Sequence, residues 1–186
     1  LVVGSMPVRQ DIKIFEELAG AEKTGTGAAN DAVELALARI RQLSAHEIGH
    51  TLGFAHNMAA SSYGRESVMD YPAPDVRMAA GGKGLDFSHV YGVGVGAWDK
   101  WAATYLYADY DDNDAAAKAV LFREADEKGL IYVSDRDSRS IGSGHIRGSL
   151  WDNGSDAVNE LAAVMQVRGD ALSRFGSATL RKGESY

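Results

Sequence analysis

Apolar residues recur at helical spacing in several stretches of the chain, and their phase predicts where helices begin and end. Ile12, Phe15 and Leu18 stand three apart and predict a short amphipathic helix over 10–19. The residues ahead of them, 1–8, read as a short strand and a turn. A Gly- and Thr-rich stretch (GAEKTGTGA) then breaks the pattern. From Asn30, a good N-cap, a second pattern runs to about Leu52 with Val33, Leu37, Ile40 and Leu43 on one stripe. Asp31 and Glu34 fall in its first turn, where the helix dipole favours negative charge, and Gly53 supplies a stop.

Residues 57–95 lose periodicity. They carry Pro72, Pro74 and many glycines, and are expected to be mostly irregular. Helical patterns return over 97–108, burying Trp98, Trp101, Ala102 and Tyr105, and over 114–128, closed by Gly129. Leu130–Ser134 (LIYVS) reads as a short strand, and 135–155 as a long polar loop. A last helix is expected over 156–175, capped by Ser155 or Asp156 and ended by Gly176.

One stretch of the long helical pattern carries chemistry. Residues 46–57 read HEIGHTLGFAHN. His46 and His50 are four apart, so both imidazoles face one side of a helix and can bind one zinc ion. Glu47 lies on the same rim, placed to reach a water on the metal without being a ligand. Gly53 accepts the positive φ of a sharp helix exit, and the turn returns His56 to the ion. Three nitrogens leave a fourth position open, the pattern of a catalytic zinc. The His-Glu-x-x-His-x-x-Gly-x-x-His spacing resembles the metzincin signature.

Downstream, Ser67-Val68-Met69-Asp70-Tyr71 resembles the methionine turn of metzincins, and in particular the form of the astacin and serralysin branches. The resemblance implies Met69 as an apolar floor beneath the imidazoles. It implies Tyr71 as a swinging fifth ligand or as a donor to the developing oxyanion. More widely, HEIGHTLGFAHN, SVMDYP, YGVGVGAWDKWAATYLY and, more loosely, WDNGSDAV resemble the Met-zincin catalytic domain of large bacterial zinc-dependent metalloproteases. That likeness implies an extracytoplasmic protein, secreted, periplasmic or surface-attached, with further domains upstream.

The expected fold is α+β, predominantly helical. Metzincins place a sheet before the active-site helix, yet only 45 residues precede His46, so that sheet is expected to be largely truncated. The expected organisation is a single catalytic-domain fragment. Residues 1–29 are a remnant of the N-terminal subdomain, 30–57 the active-site helix and third-ligand turn, 58–96 the Met-turn and pocket wall, and 97–186 a helical C-terminal subdomain.

Composition narrows the function. The net charge is −7, which argues against nucleic acid as a partner. No apolar run approaches the roughly 20 residues of a membrane span. Without cysteine, a metal site must use His, Asp or Glu. His89 and His145 read as surface residues. The acidic run 109–114 departs from a calcium loop, with Asp114 at the sixth position in place of Gly and Val120 at the twelfth in place of Glu. The chemistry expected is peptide-bond hydrolysis of a peptide or protein substrate. Two other readings stand beside it: a silent zinc-binding interaction domain, and a zinc hydrolase of a non-peptide amide.

Overall fold

The computed structural model describes residues 5–110, 114–139, 141–142, 144–176, 179–180 and 182–183. Six helices dominate: α1 (Ser5–Ala19), α2 (Ala32–Thr51), α3 (Ala97–Tyr107), α4 (Asp114–Glu127), α5 (Asp135–Arg139) and α6 (Ala157–Arg174). Among the described residues the strands are β1 (Arg77–Met78) and β2 (Leu85–Asp86), an antiparallel pair with Arg77 opposite Asp86. The fold is therefore predominantly helical, and no described strand precedes α2. No helix among the described residues is long and apolar enough to cross a membrane.

The chain divides into two compact units. One comprises Leu1–Ser44, Pro74–Val93 and Val158–Tyr186, the other Ala45–Ala73 and Gly94–Ala157. The core of the first gathers Phe15 from α1, Ala32 and Leu35 from α2, Val76, Phe87 and Val90, and Val167 from α6. Arg77 ties β1 to α6 through Glu160 at 2.7 Å. In the second, Phe54, Val68, Met69, Trp98 and Ala102 form one cluster, and Met58, Ala59 and Val133 another. Trp101 of α3 packs edge-on against Phe122 of α4 and donates its Nε1–H to the Leu121 carbonyl at 2.9 Å.

Several expectations need correction. Residues 5–8 are helical rather than extended, because Pro7 in the first turn brings a fixed helical φ and lacks an N–H the helix would leave unused anyway; residues 1–4 lie outside the described ones. The buried face of α2 is Ala32, Leu35, Ala36, Gln42, His46 and Gly49, while Leu37 is exposed. Apart from Leu35, small and polar residues line the close-packed side, so the stripe of Val33, Leu37, Ile40 and Leu43 does not mark it. Residues 130–134 form no strand. The buried Asn57 pairs with them instead, donating Nδ2–H to the Ile131 carbonyl at 2.9 Å and accepting from Val133 N at 3.2 Å. Finally, the stretch 135–155 opens with the short helix α5.

Asp31, rather than Asn30, caps α2. It is buried, and its carboxylate accepts from the backbone N–H groups of Gly25, Gly27 and Val33 at 2.8–3.0 Å. Burial alone would raise its pKa, but the backbone donors outweigh burial and lower it. With the folded pKa below the unfolded one, the cap contributes stability above the ordinary carboxylate range, lost as pH falls through the folded pKa. Asp31→Ala is expected to cost about 1 kcal/mol at neutral pH. Thermal melts in a pH series check this: the deficit against wild type should shrink as the pH is lowered below about 4.

Candidate metal centre

The site grows from the end of α2. Gly53 takes φ +84°. Gly53 N–H donates to the His50 carbonyl and Phe54 N–H to the Gly49 carbonyl, both at 3.0 Å, the paired bonds of a Schellman cap. The cap also aims the Phe54 carbonyl back at the helix, where it accepts from His50 Nδ1 at 2.9 Å. The turn then delivers His56.

Each imidazole is held by its Nδ1. His46 Nδ1 meets the Val68 carbonyl at 2.7 Å, and His56 Nδ1 meets Asp135 Oδ2 at 2.6 Å. All three acceptors lack hydrogens, so each Nδ1 carries the proton and each Nε2 presents a lone pair. Those lone pairs converge: His50 Nε2 lies 3.1 Å from His46 Nε2 and 3.0 Å from His56 Nε2. Three acceptors facing one another repel. One shared proton would relieve one of these contacts; a cation among them relieves both. Nitrogens bound at about 2.0–2.1 Å in tetrahedral array are about 3.3–3.4 Å apart, within a few tenths of an ångström of this arrangement. The donor set fits a metal ion.

His46 is the most deeply buried of the three rings. Burial lowers its pKa, with the hydrogen bond to Val68 opposing and His50 and His56 adding to the shift; the nearby Glu47 carboxylate pulls it upward. A lowered pKa keeps the ring in its neutral, ligating form.

The motif and the donor geometry agree with a comparison against known families: the Met-zincin family profile matches residues 28–186. The chain belongs to the Met-zincin family. No curated protein and no solved structure matches it.

In this Met-zincin the turn after the three histidines is clamped to α3. Ser67 Oγ donates to Asp99 Oδ1 at 2.6 Å, and Val68 N and Gly96 N donate to Asp99 Oδ2 at 2.9 and 2.7 Å. A Cβ on Gly96 would stand 2.0 Å from the Glu66 carbonyl oxygen, so glycine is required for this approach. The clamp fixes the Val68 carbonyl that orients His46. Met69 is fully buried and packs against α2 at Gly49, between His46 and His50 in the sequence; a Cβ on Gly49 would press on Met69 Sδ. Glycine-to-alanine in a helix ordinarily gains about 1 kcal/mol. Here Gly49→Ala is expected to lose about 1 kcal/mol net, because overpacking costs more than propensity returns. Melting curves with and without zinc test this, and a raised melting temperature would contradict it.

Tyr71 leaves the turn with its hydroxyl 2.9 Å from His56 Nε2, its ring centroid 4.6 Å from that of His56 and 5.2 Å from that of His46. Asp70 beneath it is buried and accepts from Ser61 N and Tyr71 N at 2.8 and 2.7 Å; burial pushes its pKa up to about 6 against those donors. Glu47 is half-buried on α2 and makes no hydrogen bond or ion pair among the described residues, leaving its carboxylate available.

The structure thus brings His46, His50, His56 and Tyr71 together, with Glu47 on the adjoining helix position. His89 is exposed in the first unit, and the exposed His145 accepts from Arg147 N within its own loop. The acidic run 109–114 lies partly outside the described residues. Sequence reasoning missed Asp135, Gly49 and Asp99. A glycine inside a strong helical pattern was a readable sign of close packing. Asp135 gave no local sign, standing 79 residues from His56.

Proposed function

We propose that this chain is a zinc-dependent endopeptidase. The observation that carries the reading is the convergence of three Nε2 lone pairs with the Tyr71 hydroxyl beside them and an uncommitted carboxylate one residue from His46. His46, His50 and His56 would hold the ion. Zinc there supplies Lewis-acid polarisation of the scissile carbonyl and acidifies water.

The protein's own groups divide the remaining work. Glu47 accepts the proton of the attacking water and delivers it to the leaving amine. The Tyr71 phenol donates to the oxyanion that forms on the carbonyl oxygen. The Asp135 carboxylate and the two carbonyls keep each Nδ1 protonated, so that Nε2 stays a ligand. The substrate class is peptide or protein. By likeness to its family, the protein works outside the cytoplasm with further domains upstream.

The test is cleavage of an unfolded, casein-like protein by the zinc-loaded wild type and Glu47→Gln side by side, with zinc content measured in both. Cleavage that survives in the variant, or its absence from the zinc-loaded wild type, overturns the reading.

A further inference from the structure

Two non-glycine residues among those described adopt positive φ, and Trp151 is one of them, at +60°. A bulky side chain in the left-handed region is strained. Trp151 is also 57% exposed, the largest side chain in the chain left open to solvent to that degree. Neither property helps folding: glycine there would remove the strain and expose no apolar surface.

The exposure does not come from a loose loop. Trp151 N–H donates to the Tyr71 carbonyl at 2.9 Å. On one side Leu150 packs against the cluster of Met58, Ala59 and Val133. On the other, Asp152 Oδ1 accepts from Ser61 Oγ at 3.0 Å and the buried Asn153 donates to the Ala73 carbonyl at 3.4 Å. A Cβ on Gly148 would press on Val133 and Ser138, so the loop approaches the segment that carries Asp135. The backbone is anchored on both flanks while the indole is presented outward. Its ring centroid lies 5.5 Å from that of Tyr71, whose hydroxyl contacts His56. The indole is one ring removed from a metal-binding histidine.

We propose that Trp151 is a substrate-binding residue: its indole forms the wall beside Tyr71 that seats a bulky apolar or aromatic side chain flanking the scissile bond. This rests on the endopeptidase reading and adds to it a substrate class. A broad, rigid, mostly apolar face with two side-chain torsions accepts such a group at small entropic cost. An acidic or small side chain gains nothing from it. The loop's strain is then offset by function rather than by folding.

The test separates binding from cleavage. Fluorescein-labelled peptides with Phe, Leu, Ala or Asp beside the cleavable bond are titrated, by fluorescence anisotropy, into zinc-loaded Glu47→Gln and into zinc-loaded Glu47→Gln/Trp151→Gly. The second chain should melt within a few degrees of the first and bind zinc equally well. Its affinity for the Phe and Leu peptides should fall roughly tenfold or more, as for loss of one aromatic anchor. The Ala and Asp peptides should bind both chains alike, and Trp151→Phe in the same background should recover most of the loss. Equal losses on all four peptides, unchanged binding of the Phe peptide, no binding of any peptide, or a collapsed melting temperature with zinc lost would each overturn the proposal. Because cleavage is not read, failure of the endopeptidase reading appears separately, as wild type that binds these peptides and leaves them intact.

Discussion

Replacing Glu47 with Gln is expected to lower kcat for an unfolded-protein substrate by about 10²–10⁴-fold, with KM and zinc content near wild type. Gln keeps the length, shape and helix propensity of Glu, so α2 and its cap should persist. No metal-directed nitrogen is touched. The lost charge removes one of the two influences that raise the His46 pKa, the other being the Val68 carbonyl, so that ring becomes still harder to protonate and competition from protons does not grow. What disappears is a proton acceptor. Because the half-buried carboxylate makes no hydrogen bond among the described residues, its removal orphans no donor in the fold. The loss should therefore reside in the chemical step, about 3–5 kcal/mol of barrier, and appear in kcat rather than KM.

A second variant distinguishes a base from a mere charge. Glu47→Asp keeps the carboxylate but withdraws it by one methylene. Misplacement on the order of 1 Å can cost about 10²-fold, so Asp should fall well below wild type yet above Gln. If Asp and Gln were equally impaired while zinc stayed bound, a carboxylate out of reach would be worth no more than none, and charge alone would not be what Glu47 supplies. If Gln turned over like wild type, Glu47 would not be the base.

His46, His50, His56 and Glu47 were legible because their geometry is local. A four-residue separation on a helix and a glycine exit are facts of backbone periodicity, and the Schellman bonds at Gly53 and Phe54 follow from them directly. The orientation of the rings was not legible. The His50 acceptor is the local Phe54 carbonyl, but the other two depend on chain segments returning from elsewhere: the Val68 carbonyl through the Asp99 clamp, and Asp135 from beyond α4. The phase of α2 was misread for a related reason. Hydrophobicity weighs Leu37 above Ala32 and Ala36, but close packing selects small residues for the inner face. The 130–134 strand expectation failed because the partners of this segment are the Asn57 side chain and the single backbone N–H of Met58 rather than a neighbouring strand. Trp151 was visible in the sequence only as part of a loosely matching motif; its backbone conformation and its nearness to Tyr71 belong to the fold.

Asp135→Ala is expected to weaken zinc binding by about 10–100-fold, measured by competition with a chromophoric chelator at fixed pH. His46 and His50 direct their Nδ1 protons to neutral carbonyls, whereas His56 directs its proton to a carboxylate at 2.6 Å. An anion there fixes the His56 tautomer and the orientation of its ring. The carboxylate is kept ionised: burial would raise its pKa, but the His56 hydrogen bond and charge and the Arg139 guanidinium lower it. Arg139, one turn later on α5, binds the other oxygen and so holds the carboxylate plane toward His56. Removing the carboxylate frees the ring to rotate and to take its proton on Nε2, the nitrogen a metal needs bare. Asp135→Asn retains an acceptor oxygen without the charge, so it should lose less than Ala; equal losses would assign the effect to charge alone. Arg139→Ala should lose less than either, since water can replace its exposed contact. Undiminished zinc affinity in Asp135→Ala would mean that the two helical histidines and the turn hold the ion without help from α5.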